Sequence, residues 1–312
     1  MNCKICANSI GNALHTAMEK MFGMGGQFTY LECNSCKALS LITIPENLGH
    51  YYPNNYYSFQ GEKWLKNKLN ILRTNMAFGK PTPLGLFVEY VLGENFSLSA
   101  FASQKIPREA KILDVGCGSG SFLKSLSLME YKNLAGIDPY LHKSLRVCAD
   151  YRLDRKELAN VQERYDVVTM NHSFEHMDQP LQVLRKIREI LNPGGKLIIH
   201  IPVADSWAWK KYGTDWVNLD APRHLFLHTE TSIKIMAKNA NFKLESVTYE
   251  GTAMQIVGSE QYQRGIPLAS RRSYYSGGLM RWIGWIKSKK VQSKVDNLNR
   301  SGHADCAVFI LT

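Results

Sequence analysis

The chain has 312 residues, 45% of them hydrophobic and 21% charged, and a net charge of +11. That is the composition of an ordinary soluble globular protein, long enough for one substantial domain with additions. An odd count of seven cysteines argues against a disulfide framework. With neither a basic-then-apolar leader nor an apolar run of membrane length, a cytoplasmic protein is expected.

Residues 1–48 form a cysteine-bracketed unit, with Cys3 and Cys6 separated from Cys33 and Cys36 by a 26-residue interval. Two C-x-x-C knuckles giving four thiolates suit a tetrahedral zinc ion, against the alternative of four incidental cysteines. A redox role fits less well, since no βαβ pattern surrounds either pair. The interval reads as a helix over Asn12 to Met21 followed by a glycine-rich turn, Gly23 to Gly26. A unit this small lacks a core of its own, so the metal is expected to stabilise it.

Residues 49–104 are expected to link this unit to the main domain. Their aromatic cluster, including Tyr56 and Tyr57, either lines a substrate cleft or packs the zinc unit onto its neighbour. Helical periodicity over 62–102, broken at Pro81 and Pro83, predicts two helices flanking the cofactor entrance.

From residue 105 to 312 strands and helices alternate. Lys111 to Leu113 reads as a buried strand and Ser121 to Leu126 as the start of a helix. The turn between them, Asp114-Val115-Gly116-Cys117-Gly118-Ser119-Gly120, lets a ligand approach the backbone. The next strand, Asn133 to Ile137, delivers Asp138 and then Pro139, placing a carboxylate to accept both hydroxyls of a ribose. A dinucleotide fingerprint would need a glycine at Ser121, and Asp114 would repel a pyrophosphate while suiting a cationic ligand. An adenosine-containing cofactor is therefore expected on Asp114, Gly116, Cys117, Gly118, Gly120, Asp138 and Pro139, with Asn171 and His172 at the edge of the following strand.

That strand is Arg164 to Met170, followed by a helix over Pro180 to Leu191 that Asn192-Pro193-Gly194-Gly195 ends. Further strands are predicted over 196–202, 243–249 and 305–311, with a helix over 229–240. An insertion over 256–300 precedes the last strand. Between Arg271 and Arg300 it carries eight basic residues against Asp296 alone, a net +7. The expected fold is α/β, a doubly wound, mostly parallel seven-stranded sheet. A small zinc-ribbon-like module precedes it, and the basic insertion acts as a lid.

Two segments carry candidate chemistry for the acceptor of a transferred group. Glu175 and His176 follow the fourth strand, where they act on substrate or simply orient the loop. The second runs from Trp216 to Leu225. In it Trp216 offers a stacking face, Asp220 and Arg223 bind substrate or pair with each other, and His224 is a general base or a structural residue, with His228 a weaker candidate. The segment 271–300 either contacts an anionic membrane or lipid-linked substrate, lids a diphosphate, or is a solvated face.

Asp114 to Gly120, with Asp138 behind it, resembles motif I of the class I S-adenosylmethionine-dependent methyltransferases. Phe174-Glu175-His176 is similar to the hydrophobic-Glu-His sequence that adjoins the cofactor's methionine part in many small-molecule members. The likeness runs from Lys105 to Leu311. It is closer to bacterial members with an N-terminal cysteine module that sit among polysaccharide and modified-sugar genes. The resemblance implies S-adenosylmethionine and structural zinc as cofactors and a glycan or small-molecule acceptor. The cysteine module resembles that of sugar C-methyltransferases, whose further C-terminal domain has no counterpart here, which leans toward O-methylation. A nucleic-acid methyltransferase is the alternative that the zinc module and charge suggest. It is disfavoured because Asn171-His172-Ser173-Phe174 replaces the Asn/Asp-Pro-Pro-aromatic clamp. A non-catalytic binder of the cofactor is disfavoured because Asp114 and Asp138 are both present.

Overall fold

The structure, a computed structural model, describes residues 1–53 and 64–312, with the backbone alone for 64–67. Tyr56 and Tyr57 lie outside the described residues. The strands are β1 (Ala13–Met18), β2 (Gln27–Glu32), β3 (Leu39–Leu41), β4 (Ile112–Val115), β5 (Leu134–Ile137), β6 (Leu145–Cys148), β7 (Tyr151–Asp154), β8 (Tyr165–Asn171), β9 (Leu191–Pro202), β10 (Phe226–Leu227), β11 (Leu244–Tyr249) and β12 (Cys306–Leu311).

The large sheet runs β11-β12-β9-β8-β4-β5-β7-β6. Strands β9, β8, β4, β5 and β7 are parallel, and β12 is antiparallel to both its neighbours. Alternation along each strand builds a core on both faces. Leu113, Val168 and Ile199 point into one, with Leu184 and Ile187 of helix Pro180–Ile190 and Ile233 and Met236 of helix Glu230–Asn239. Ile112, Val167 and Ile198 point into the other, with Leu98 and Phe101 of helix Phe96–Ser103 and Leu123 and Leu126 of helix Ser121–Leu128. Each such buried aliphatic stabilises the fold by about 1.5–3 kcal/mol. This is a Rossmann-like α/β fold, with its ligand edge at the carboxyl ends of β4, β5 and β8.

Four sequence expectations are corrected. The sheet has an eighth strand, β6, antiparallel to β7. All four of its residues are exposed, so no apolar alternation announces it. The expected helix over Asn12 to Met21 is instead β1, paired with β2 from Ala13↔Glu32 to Met18↔Gln27. Leu14, Ala17, Met18 and Met21 imitate a helical stripe, but only Ala17 among the β1 residues is buried, and pairing across the glycine turn overrides the pattern. Residues 64–103 form three helices, not two: Trp64–Ala77, Pro83–Leu92 and Phe96–Ser103. Thr82 and Asn95 cap the last two by accepting from the N–H groups of Gly85 and Leu98. Finally, helix Pro180–Ile190 stops at an extended Leu191, and the left-handed Gly194 (φ 76°) lies inside β9.

The N-terminal strands form a second sheet in the order β1-β2-β3-β10, completed by Phe226 and Leu227 from the main domain. Its core is shared too: Phe28, Tyr30 and Leu39 pack with Trp209, Tyr212, Trp216 and Leu225. The basic insertion folds as helices Met254–Gln263 and Gly278–Arg300. Part of its charge rests on aromatic rings, with Lys289 Nζ 3.7 Å from the Tyr90 ring centre and Lys294 Nζ 3.7 Å from that of Trp207. No described helix is long and apolar enough to cross a membrane.

Candidate active site

The turn after β4 carries Gly116 (φ 74°), Gly118 (φ 50°) and Gly120 (φ 78°), all in the left-handed region. A Cβ on Gly116 would sit 2.5 Å from Ser173 Cβ, and one on Gly120 2.7 Å from Leu153 Cδ1. These glycines therefore allow both the turn and its close packing. Asp138, at the end of β5, is buried. Its Oδ2 accepts from Gly118 N at 3.0 Å and its Oδ1 from Tyr140 N at 2.9 Å. Asp114 is buried beneath the turn, taking bonds from Thr169 Oγ1 (2.7 Å) and Asn171 Nδ2 (3.3 Å). Burial pushes its carboxyl up to about 7, against the pull of those two donors. Burial likewise pushes the Cys117 thiol up. His172 follows at φ 49°, with its side chain partly exposed.

This turn, with a carboxylate behind it, fits the adenosine and sulfonium of S-adenosylmethionine. Asp154, which the sequence left without a place, ends β7 opposite Ile137, one strand further along the same edge. The hairpin with the exposed β6 hides that strand's place in the sheet. Asp138→Ala is expected to abolish cofactor binding with the fold retained, measured by calorimetry with S-adenosylmethionine.

The acceptor side assembles from two distant segments. Ser173 Oγ donates to Val115 O at 2.7 Å, which ties the loop after β8 to the glycine turn. In that loop Glu175 is fully buried, and among the described residues neither of its carboxylate oxygens has a hydrogen-bond partner. His172 Nδ1 lies 3.6 Å and His224 Nε2 3.9 Å from Glu175 Oε1, both beyond hydrogen-bond range. The rings of His176 and His224 meet edge to face, 4.8 Å between centres. His224 Nδ1 donates to Asn218 O and His176 Nδ1 to Arg223 O, each at 2.8 Å. Because a carbonyl only accepts, the free lone pair of each neutral ring is on Nε2. Burial, with His176 nearby, pushes His224 down to about 4 against the opposing effect of Asp220 and Glu175. Burial alone would raise Glu175, but His172, His176 and His224 hold it down at about 2. At neutral pH His224 is neutral.

Three expected substrate contacts are corrected. Trp216 is 1% exposed, and its Nε1 donates to Asp305 Oδ2 at 2.9 Å, so it offers no stacking face. Arg223 is fully buried, and its donors are taken by Asp220, by Glu19 Oε1 at 2.9 Å and by Tyr51 O at 2.9 Å. Asp220 is consumed in the same network, leaving neither group for a substrate. Glu19 escaped the sequence reading because it lies 204 residues from its partner. His228 is enclosed between the stacked rings of Phe174 and Phe226, and burial pushes it down to about 3. A cavity of ≈ 630 Å³ lies elsewhere, between helix Phe96–Ser103 and strands β11 and β12, and shares no residue with this site.

In the N-terminal unit, the ligand atoms of Cys3, Cys6, Cys33 and Cys36 lie within 4.8 Å of one another. Cys3 Sγ is 3.7 Å from Cys36 Sγ, and Cys6 Sγ is 3.4 Å from Cys33 Sγ. A tetrahedron of Zn–S bonds of about 2.3 Å has edges of about 3.8 Å. Ile5 N donates to Cys3 Sγ and Cys36 N to Cys33 Sγ, each at 3.4 Å, which supports the sulfurs from behind.

Fold and glycine turn together define an S-adenosylmethionine-dependent methyltransferase. A family model described as a methyltransferase domain matches residues 87–247, just over half of the chain, and the protein belongs to that family. The ubiquinone biosynthesis O-methyltransferase of Xanthomonas axonopodis pv. citri is 33% identical over 103 residues, 30% of this chain and 43% of that protein. Its counterpart in Xanthomonas oryzae pv. oryzae (strain PXO99A) is 28% identical over 157 residues, 45% of this chain and 65% of that protein. The chain thus spans less than two thirds of these relatives' length. Among solved structures, coclaurine N-methyltransferase bound to N-methylheliamine and SAH is 12% identical, with a TM-score of 0.44 and coverage of 86% of this chain and 95% of that one. The cyclopropane synthase MmaA2 of Mycobacterium tuberculosis is 14% identical, with a TM-score of 0.44 and coverage of 86% and 94%.

Proposed function

We propose that this methyltransferase acts on a hydroxyl of a saccharide, nucleotide-linked sugar or related small molecule. The observation that carries the reading is the pair of imidazoles, His176 and His224, packed edge to face beside the buried Glu175, with His224 Nε2 3.9 Å from its Oε1. When bound, S-adenosylmethionine supplies an electrophilic methyl group on a sulfonium. The glycine turn and Asp138 hold its nucleoside, and the loop 171–176 borders its methionine part. His224 Nε2 then takes up the acceptor's proton as the oxygen becomes a nucleophile, which makes His224, His176 and Glu175 the catalytic group. The O-methyltransferases among the relatives support an oxygen acceptor.

The same reading gives the four cysteines a structural zinc ion, with one equivalent per chain expected by elemental analysis. Exposed Leu84, Phe87, Tyr90, Leu279 and Trp282, beside Arg281, provide a face for an anionic membrane or a lipid-linked acceptor. The deciding experiment is a transfer screen with methyl-labelled cofactor against nucleotide sugars and lipid-linked glycans, with RNA as control. Label in RNA alone would replace this reading with a nucleic-acid enzyme.

A further inference from the structure

We propose that Glu175, His176 and His224 bind a divalent transition-metal ion, and that this ion holds and activates the acceptor hydroxyl. The inference rests on the hydroxyl-acceptor reading for its purpose but on the geometry alone for the site. One ligand atom from each of the three residues lies within 4.8 Å of the others. The fold does not account for Glu175: it is fully buried, and neither of its carboxyl oxygens has a hydrogen-bond partner among the described residues to offset its lost hydration. The neighbouring guanidinium does not serve it, because Arg223 is spent on Asp220, Glu19 and Tyr51 O.

The histidines sharpen the problem. Backbone carbonyls hold both Nδ1–H groups, so each neutral ring keeps its lone pair on Nε2, and that of His224 lies 3.9 Å from Glu175 Oε1. A cation among these three groups would accept an electron pair from each of them. An imidazole locked through Nδ1–H to a carbonyl is also how proteins orient metal-bound histidine. Two imidazoles and a carboxylate suit zinc, manganese, iron or cobalt, with bonds of about 2.0–2.2 Å that would draw the three groups inward. His176 is only partly buried, which leaves an open side for a further ligand.

With His224 Nε2 occupied by the ion, this route replaces proton transfer to His224: a hydroxyl bound there would lose its proton to solvent more readily, as metal-bound water does. The oxygen's electron pair then forms the O–CH3 bond. The S–CH3 bond breaks with its pair retained by sulfur, and a neutral thioether leaves.

The test is a Mn2+ titration of the full chain with its four-cysteine site filled by one equivalent of zinc, followed by electron paramagnetic resonance and repeated with Co2+ by calorimetry. Mn2+ is a hard ion that avoids the four-thiolate site. Wild type should bind one Mn2+ per chain, and Glu175→Gln and His176→Gln should each weaken it by at least about tenfold. Circular dichroism checks folding, and the partly exposed His176 keeps the test decisive should the Glu175 variant fail to fold. Absence of binding for both ions, or equal affinity in both variants, overturns the site. Since neither cofactor nor acceptor is present, a failed transfer screen leaves this result untouched. Conversely, hydroxyl methylation that persists in EDTA without a bound ion overturns the metal and leaves His224 as the base.

Discussion

Arg223→Ala is expected to cost the fold about 3–5 kcal/mol, the loss typical of removing one partner from a buried ion pair. The guanidinium bridges Glu19, which belongs to the N-terminal unit, and Asp220, which belongs to the acceptor segment. Its removal strands two carboxylates in the core, and Glu19 is as fully enclosed as Arg223 itself. The cation also sits 5.4 Å from the ring centre of Phe22, so the stacked face is lost as well. The measurement is a urea midpoint at constant slope. A triple variant, Arg223→Met with Glu19→Gln and Asp220→Asn, should recover much of the loss, because no buried charge is left unpaired. A raised KM at unchanged stability would instead return Arg223 to the substrate.

His224→Ala is expected to lower kcat by about 10²–10⁴-fold, the usual worth of a positioned proton acceptor. Affinity for S-adenosylmethionine should be unchanged, since the glycine turn and Asp138 stand on other elements. His224 reaches the site from the segment after β9, and Tyr30 Oη donates to its backbone carbonyl at 2.8 Å. The fold therefore presents the ring from behind with a bond that alanine retains. Single-turnover rates and cofactor calorimetry on the same preparation separate the two effects. Equal turnover would remove His224 from the chemistry.

Much of the cofactor half of the site was legible from the residues alone. A run such as Lys111 to Leu113 followed by glycines two apart is local information, because strand burial and positive φ are properties of adjacent residues. Asp138 follows by the same logic, one strand later. Pairing is different in kind. Leu14, Ala17 and Met18 satisfy a helical period, yet their backbone bonds are made with β2, and no local pattern states that choice. Strand β6 shows the opposite failure, with nothing buried to reveal it.

The acceptor half was decided by tertiary structure. The sequence named His176 and His224 without bringing them together. It left Arg223 and Asp220 between binding a substrate and pairing with each other, because Arg223's further partner Glu19, near the N-terminus, was out of sight. It could not show that Glu175 would be buried beside both imidazoles. The amino-acid order determined the donor turn and the sheet that carries it, since both follow from short-range steric and apolar periodicity. Which polar groups remain free to act was decided only on folding, because burial and hydrogen-bond saturation depend on residues far apart in the chain.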